Sequence, residues 1–434
     1  MKFRAKSIWL LLPVYAMLYV KRGLGRLTLA ELKGFTGDKL KAQAFVVQNN
    51  NWQSVAEEAC AKLAGFGQLD LLFLFASDSY ASYLPDLVKT IYRESGASTL
   101  LGCASQTVIG ENRELEDEVA ISLLALSLPD TGLRTVYLTQ NDITQNYIAS
   151  LPGLISSPTG EVNAWILFSD PFTIASEQML TQFSAAFPGI PLVGGVASGD
   201  FRLRRSYLFM NDQVLHQGAL ALAISGALTV DPVVSQGATP VGEAWMVTAA
   251  DGPVIESISG RPAYELLVDT IKSLPLAQQQ RVARNFLVGL AVDEYKAEFG
   301  RGDFLIRNLT AIDPQSGAIA INAEPRIGQT IQFQMRDAEA ADEDLRGLLA
   351  ELKTSDSSHK PLAGILFSCN GRGTGLFGVA DHDATTIKEQ LGAFPLSGFF
   401  CNGEFGPIGK QNFVHGFTAS LGLFVPKDSN SGKH

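Results

Sequence analysis

From Lys41 onward, short apolar runs alternate with stretches of helical periodicity. Ala44-Phe45-Val46-Val47 predicts a strand. Trp52, Val55, Ala56, Ala59, Cys60 and Leu63 then recur at helical spacing behind Asn51, a residue suited to cap the first free amides of a helix. Leu69 to Ala76 is apolar on both faces, which predicts a central strand with helices over each side. A helix over Tyr83 to Tyr92 and a strand over Thr99 to Cys103 complete a βαβαβ order with some parallel pairing. Glu111 to Glu118 reads as a loop or polar strand edge. Val119 to Leu128, Arg134 to Thr139 and Ala164 to Phe168 read as strands, Thr173 to Phe187 as a helix, and Ile190 to Val193 as a strand. Strands at Tyr207 to Met210 and Ala219 to Ser225 close a first domain.

Ser235-Gln236-Gly237-Ala238-Thr239-Pro240 is turn-rich and marks the expected boundary. Beyond it, Tyr264, Leu267, Val268 and Ile271 form a helical stripe after Arg261-Pro262. Strands are expected at Phe286 to Val292, Asp303 to Leu309, Ala318 to Ile321 and Thr330 to Met335. Asp337 is expected to cap a helix carrying Ala341, Leu345, Leu348 and Leu352. Thr354 to Lys360 reads as a polar linker, and no internal repeat or coiled coil is visible. The pattern implies a mixed α/β and α+β protein of two domains, each a mixed sheet covered by helices. The ranges are an extension at 1–38, domains at 39–235 and 236–426, and a disordered tail at 427–434.

Composition narrows the function classes. The 434 residues are 46% hydrophobic and 18% charged, enough to bury large cores. A formal charge of −10 lacks the basic footprint that nucleic acid requires. Cys60, Cys103, Cys369 and Cys401 are scattered without zinc spacing, so free thiols in a reducing compartment are expected. Lys2, Arg4 and Lys6 precede the apolar run Ile8 to Val20, which Pro13 interrupts and which is too short to span a bilayer easily. The extension is read as a misassigned start or a short apolar anchor, and no stable membrane span is expected.

The candidate chemistry lies late in the chain. Ala363 to Phe367 predicts a buried strand, so Ser368-Cys369-Asn370-Gly371-Arg372-Gly373-Thr374-Gly375 leaves a strand end, where open α/β sheets place ligands. Arg372 between two glycines could present its fork to a carboxylate or phosphate. Glu404 sits in a second glycine-rich turn, Asn402-Gly403-Glu404, and Gly194-Gly195 in a third. Arg372 and Glu404 could grip a small zwitterion, or could pair with each other and pin the two loops. Stretches Ser368 to Gly375 and Gly398 to Pro407 are expected to be neighbours. The candidate ligand-binding set is Ser368, Cys369, Asn370, Arg372, Gly373, Gly403, Glu404, Gly194 and Gly195. Cys369 is also a conceivable nucleophile, although a small buried residue is the readier reading. GxSxG, HExxH, Walker A and dinucleotide fingerprints are absent.

These stretches resemble the FIST family. Phe367 to Gly373, Leu376-Phe377-Gly378, Gly398-Phe399-Phe400 and Gly403 to Pro407 look like its C-terminal motifs. Val193 to Ser198, Val234 to Gly237, Gly260 to Ala263 and Asn412 to His415 follow other family motifs in order. The resemblance implies a cytoplasmic sensory module for small, amino-acid-like ligands rather than an enzyme, signalling through an unknown separate protein partner. It also admits a haem-bound nitric-oxide sensor, for which His415 and His216 would be the axial candidates, although no cofactor is predicted. A cysteine-dependent hydrolase or transferase using Cys369 is the remaining alternative.

Overall fold

Apolar runs become strands and periodic stretches become helices over the residues that this computed structural model describes: 39–155, 159–200, 202–276, 279, 286–296, 298–354 and 360–427. The extension at 1–38, residues 355–359 of the expected linker and the tail after Lys427 lie outside the described residues. The helix behind Asn51 runs Trp52–Leu63, and the Asn51 side chain accepts from Ser54 N. The helix after Asp337 runs Ala338–Thr354, with Asp337 Oδ1 accepting from Glu339 N at 3.1 Å.

The strands repeat one plan three times. The first unit holds β1 (Lys41–Gln48), β2 (Leu71–Ser77), β3 (Thr99–Ser105), the hairpin β4 (Val108–Gly110) and β5 (Arg113–Leu115), and β6 (Ala120–Ser127). The second holds β7 (Thr131–Leu138), β8 (Val162–Ser169), β9 (Leu192–Val196), the hairpin β10 (Leu208–Met210) and β11 (Gln213–Leu215), and β12 (Ala219–Gly226). The third begins with β13 (Leu228–Gln236). It then carries an insertion: β14 (Ala238–Asp251), β15 (Val254–Ile258), β16 (Arg261–Pro262), β17 (Phe286–Ala291), β18 (Phe304–Asp313), β19 (Ala318–Ile321) and β20 (Thr330–Arg336). It resumes with β21 (Ala363–Cys369), β22 (Leu396–Cys401), the hairpin β23 (Glu404–Ile408) and β24 (Gln411–His415), and β25 (Thr418–Pro426).

Each unit's sheet is completed by another unit's hairpin. The orders are β1-β6-β2-β3-β10-β11, then β7-β12-β8-β9-β23-β24, then β13-β25-β21-β22-β4-β5. Hairpins thus pass from the first unit to the third sheet, from the second to the first, and from the third to the second. The register repeats as well. Parallel pairs Leu74 with Gly102, Leu167 with Gly194 and Leu366 with Gly398 occupy the same place in the three sheets. A Cβ on these glycines would lie 1.8, 2.1 and 1.9 Å from the opposing leucine carbonyl oxygen, so only glycine fits. The next residues, Phe75, Phe168 and Phe367, meet at the centre with ring centroids 6.0 Å apart from Phe168 to each of the other two.

The absence of a visible repeat is therefore corrected, and so is the view of a strand covered by helices on both faces. Each sheet turns one face to a shared central core containing Phe73, Phe75, Phe168, Phe367, Phe399 and Phe424. Its other face takes helices: Trp52–Leu63 and Leu84–Ser95 on the first sheet, Ser176–Ala186 on the second, Ala338–Thr354 and His382–Leu391 on the third. The expected turn at Ser235 to Pro240 is also corrected. β13 continues to Gln236 and β14 starts at Ala238, because ladders with β25 and β20 recruit these residues as strand. The insertion forms its own seven-stranded antiparallel sheet, β14-β20-β17-β18-β19-β15-β16, with a separate core beneath helix Ala263–Ser273.

Candidate functional site

The third unit differs chemically from its sisters. Glu404 pairs across β23 and β9 with Gly195, a position filled by Val108 opposite Phe399 and by Leu208 opposite Cys103. Val108 and Leu208 belong to the central core; Glu404 is fully buried beside it. Its Oε1 accepts from Cys401 Sγ at 3.3 Å and its Oε2 from Thr418 N at 3.2 Å. Burial raises its pKa from the ordinary 4.5 to about 8. The Glu404 contribution to stability is thus complete below the unfolded pKa and is lost as pH rises through about 8. Glu404→Gln should flatten the alkaline fall of the melting temperature, measured from slightly acid to slightly alkaline buffer; an unchanged alkaline limb would remove Glu404 as its cause.

Arg372 does not present its fork to solvent. It precedes the short helix Gly373–Phe377 with its side chain fully buried, Nε donating to Asp383 Oδ2 at 2.7 Å and Nη2 to Oδ1 at 2.8 Å. Burial alone would raise the Asp383 pKa, but the Arg372 guanidinium holds it well below the usual carboxylate range. Ser368 Oγ donates to Asp383 Oδ2 at 3.1 Å, and His382 bridges Asp383 and Asp342 at 3.0 Å each. Glu114 stands nearby, its pKa pushed up to about 8 by burial and by the Asp383 charge. Arg372 therefore pins the third unit internally, through Asp383 rather than Glu404, and both zwitterion groups are committed elsewhere. Gly373 takes φ +61 beneath the Glu116 carboxylate, which accepts from Thr374 N. Gly194 and Gly195 lie within β9, not in a loop; Gly195 leaves room for Cys401, whose Sγ would be 3.1 Å from an added Cβ. Ser368 and Cys369 are likewise the last residues of β21.

The two glycine-rich stretches are neighbours, as expected: β21 and β22 pair in parallel up to Cys369 and Cys401, and Asn370 Nδ2 donates to Asn402 Oδ1 at 2.7 Å. Beyond their ends lies a cavity of about 260 Å³. Its walls are Cys369, Asn370, Cys401 and Asn402 on one side, His415 and Phe417 on another, and Arg307, Asn308 and Asn322 from the insertion, with Glu177 from the second unit's helix at the rim. Of the sequence candidates, Cys369 and Asn370 line this cavity, whereas Ser368, Arg372, Gly373, Gly403, Glu404, Gly194 and Gly195 do not. Arg307, the principal cation on the wall, carried no signal beyond the polar end of an apolar strand.

Arg307 is buried to 5% exposure. Its Nη1 donates to the carbonyls of Ile306 and Val414, and its Nη2 to Glu177 Oε1 at 2.8 Å. His415 is 3% exposed, and its Nε2 lies 3.0 Å from Gly406 O. Burial pulls the His415 pKa down to about 4. Burial and Glu404 push the Cys369 thiol up to about 12, so it is no ready thiolate. Of the two histidines singled out from the sequence, His216 is exposed beside Tyr207, whereas His415 is buried and lines the cavity. Among the described residues no cluster of His, Cys, Asp and Glu is arranged to hold a metal ion, and no helix is long and apolar enough to cross a membrane.

Comparison with known proteins places two family domains on the chain, a FIST N domain over residues 70–261 and a FIST C domain over 263–407. An uncharacterised protein of Mycobacterium tuberculosis is 39% identical over 370 residues, covering 85% of this chain and 94% of its own. An uncharacterised protein of Mycobacterium bovis is 37% identical over the same length and coverage. Among solved structures, cyanuric acid hydrolase from A. caulinodans covers 90% of this chain at 7% identity with a TM-score of 0.33, a likeness too distant to carry an argument.

Proposed function

The chain belongs to the FIST family, whose domains are generally sensory and bind small ligands, and from that premise we propose that it senses a small anionic or zwitterionic, amino-acid-like ligand in the cytoplasm. The observation that carries this reading is the cavity of about 260 Å³ between the β21 and β22 ends and the insertion. Its volume lies below the range of drug-sized pockets and suits a metabolite of amino-acid size. A buried arginine, a neutral histidine and four asparagines supply directional polar groups. The insertion interrupts only the third unit, at the connection that the first unit makes with Asn49 to Asn51. A ligand bridging insertion and core would fix their relative position, and a separate protein partner would read that change. A thiol held at about 12 gives the cysteine-nucleophile alternative no support.

Thermal denaturation with the twenty amino acids and small organic acids tests the reading. Ligand at a hundred times its Kd stabilises the native state by about 2.7 kcal/mol, a shift easily seen in the melting curve. If folded protein shows no shift with any compound at millimolar concentration, the amino-acid-like reading fails.

A further inference from the structure

Two residues of the cavity wall each keep one buried polar atom without a hydrogen-bond partner among the described residues: Arg307 its Nε and His415 its Nδ1. Buried polar atoms are nearly always satisfied, so two on one small wall call for an explanation. The two residues are neighbours, because Arg307 Nη1 bonds the carbonyl of Val414, the residue before His415, and the Arg307 charge acts on the His415 ring. Their chemistry is opposite. Arg307 Nε is a donor. His415 is neutral near pH 7, and its Nε2 faces a carbonyl oxygen, so Nε2 carries the proton and Nδ1 is a bare acceptor.

The Arg307 edge is also half used. Nε–H and the neighbouring Nη2–H form the fork that grips a carboxylate with two parallel bonds, as Asp383 grips Arg372. On Arg307, Glu177 takes only Nη2, through one oxygen, and its side chain is 60% exposed. A single bond to an exposed, flexible carboxylate is readily exchanged for two bonds to a planar one.

We infer that the cavity takes a small carboxylic acid bearing a hydrogen-bond donor beside the carboxylate, a 2-amino or 2-hydroxy acid. Its carboxylate sits on the Nε and Nη2 edge of Arg307, its donor on His415 Nδ1, and Glu177 is the resident anion it displaces. This inference rests on the cavity being the ligand site. Glu177 is then a competitor for the ligand rather than a contact, so removing its charge helps binding.

Isothermal titration of the full chain tests it with three matched series. Each series contains an amino acid (alanine, leucine or phenylalanine), its 2-hydroxy analogue, the carboxylic acid lacking both donors, and the amine lacking the carboxylate. In at least one series the amino or hydroxy acid should bind, the simple acid about tenfold more weakly, and the amine not measurably, because a buried acceptor or donor is left unpaired. Glu177→Gln should tighten binding severalfold, and Arg307→Lys should weaken it more than tenfold, since lysine cannot offer two parallel donors. Glu177→Gln changes an exposed side chain, so it remains informative if Arg307→Lys fails to fold. Asn370→Trp, which blocks the cavity, should abolish binding. Binding that Asn370→Trp abolishes, but that Glu177→Gln weakens or leaves unchanged, overturns this assignment and leaves the cavity reading intact. Binding that survives Asn370→Trp, or no binding by any compound, overturns the cavity reading and this inference with it.

Discussion

Asp383→Asn should destabilise the protein by about 3–5 kcal/mol, the usual cost of removing one partner from a buried ion pair. Both side chains are fully excluded from solvent, and Asp383 satisfies two donors of Arg372 as well as Ser368 Oγ. Asparagine can accept one of these bonds but cannot balance the guanidinium charge. Glu114 offers a partial remedy, because loss of the Asp383 charge removes part of what holds its proton on. A double variant, Arg372→Met with Asp383→Leu, should recover much of the loss, since a packed apolar pair replaces the ions without leaving a lone charge. Urea unfolding of the three variants provides the comparison. A loss below about 1 kcal/mol for Asp383→Asn would place the pair with ordinary surface bridges and refute its role as an internal pin. Arg372→Lys should likewise lower stability, as expected of an arginine that pins the fold rather than one that presents its fork to a ligand.

Local signals carried the secondary structure well. Helix Trp52–Leu63 follows from its spacing and its Asn51 cap, and strand Ala318–Ile321 from its apolar run. The proximity of the two glycine-rich stretches also followed, because parallel strands of one α/β layer bring their ends together. The role of Arg372 did not. Glycine neighbours suggested a presented side chain, but its partner Asp383 lies a short helix further on, where only the folded chain turns it inward. Arg307 is a harder case: within Phe304–Asp313 it is one of several polar residues in a strand, and nothing local says that it lines a cavity with the ends of β21, β22 and β24. The threefold plan left only faint traces, Leu74-Phe75, Leu167-Phe168 and Leu366-Phe367, each with one distant glycine. The insertion of β14 to β20 breaks the period, and a hairpin exchanged between units is a relation in space that no sequence period expresses.

The same geometry makes alanine at Gly102, Gly194 or Gly398 severe. Each added methyl would overlap a backbone carbonyl oxygen, at 1.8, 2.1 and 1.9 Å, and neither paired strand can move without breaking its ladder. A flexible side chain could yield; a carbonyl in the middle of a buried sheet cannot. Each single variant should therefore lose about 3 kcal/mol or more, at or above the top of the usual overpacking range. The three losses should be similar, because the same leucine-to-glycine register recurs in all three units. Gly347, inside helix Ala338–Thr354 with nothing within 4 Å of an added Cβ, is the control. Gly347→Ala should stabilise by about 0.5–1 kcal/mol, since alanine restricts the unfolded chain and meets no neighbour. Denaturant midpoints for the four variants test both signs at once. If Gly398→Ala tolerated its methyl as easily as Gly347→Ala, the close approach of β21 and β22 would be refuted. The cavity beyond their ends would then lose the rigid floor on which Asn370 and Asn402 are held together.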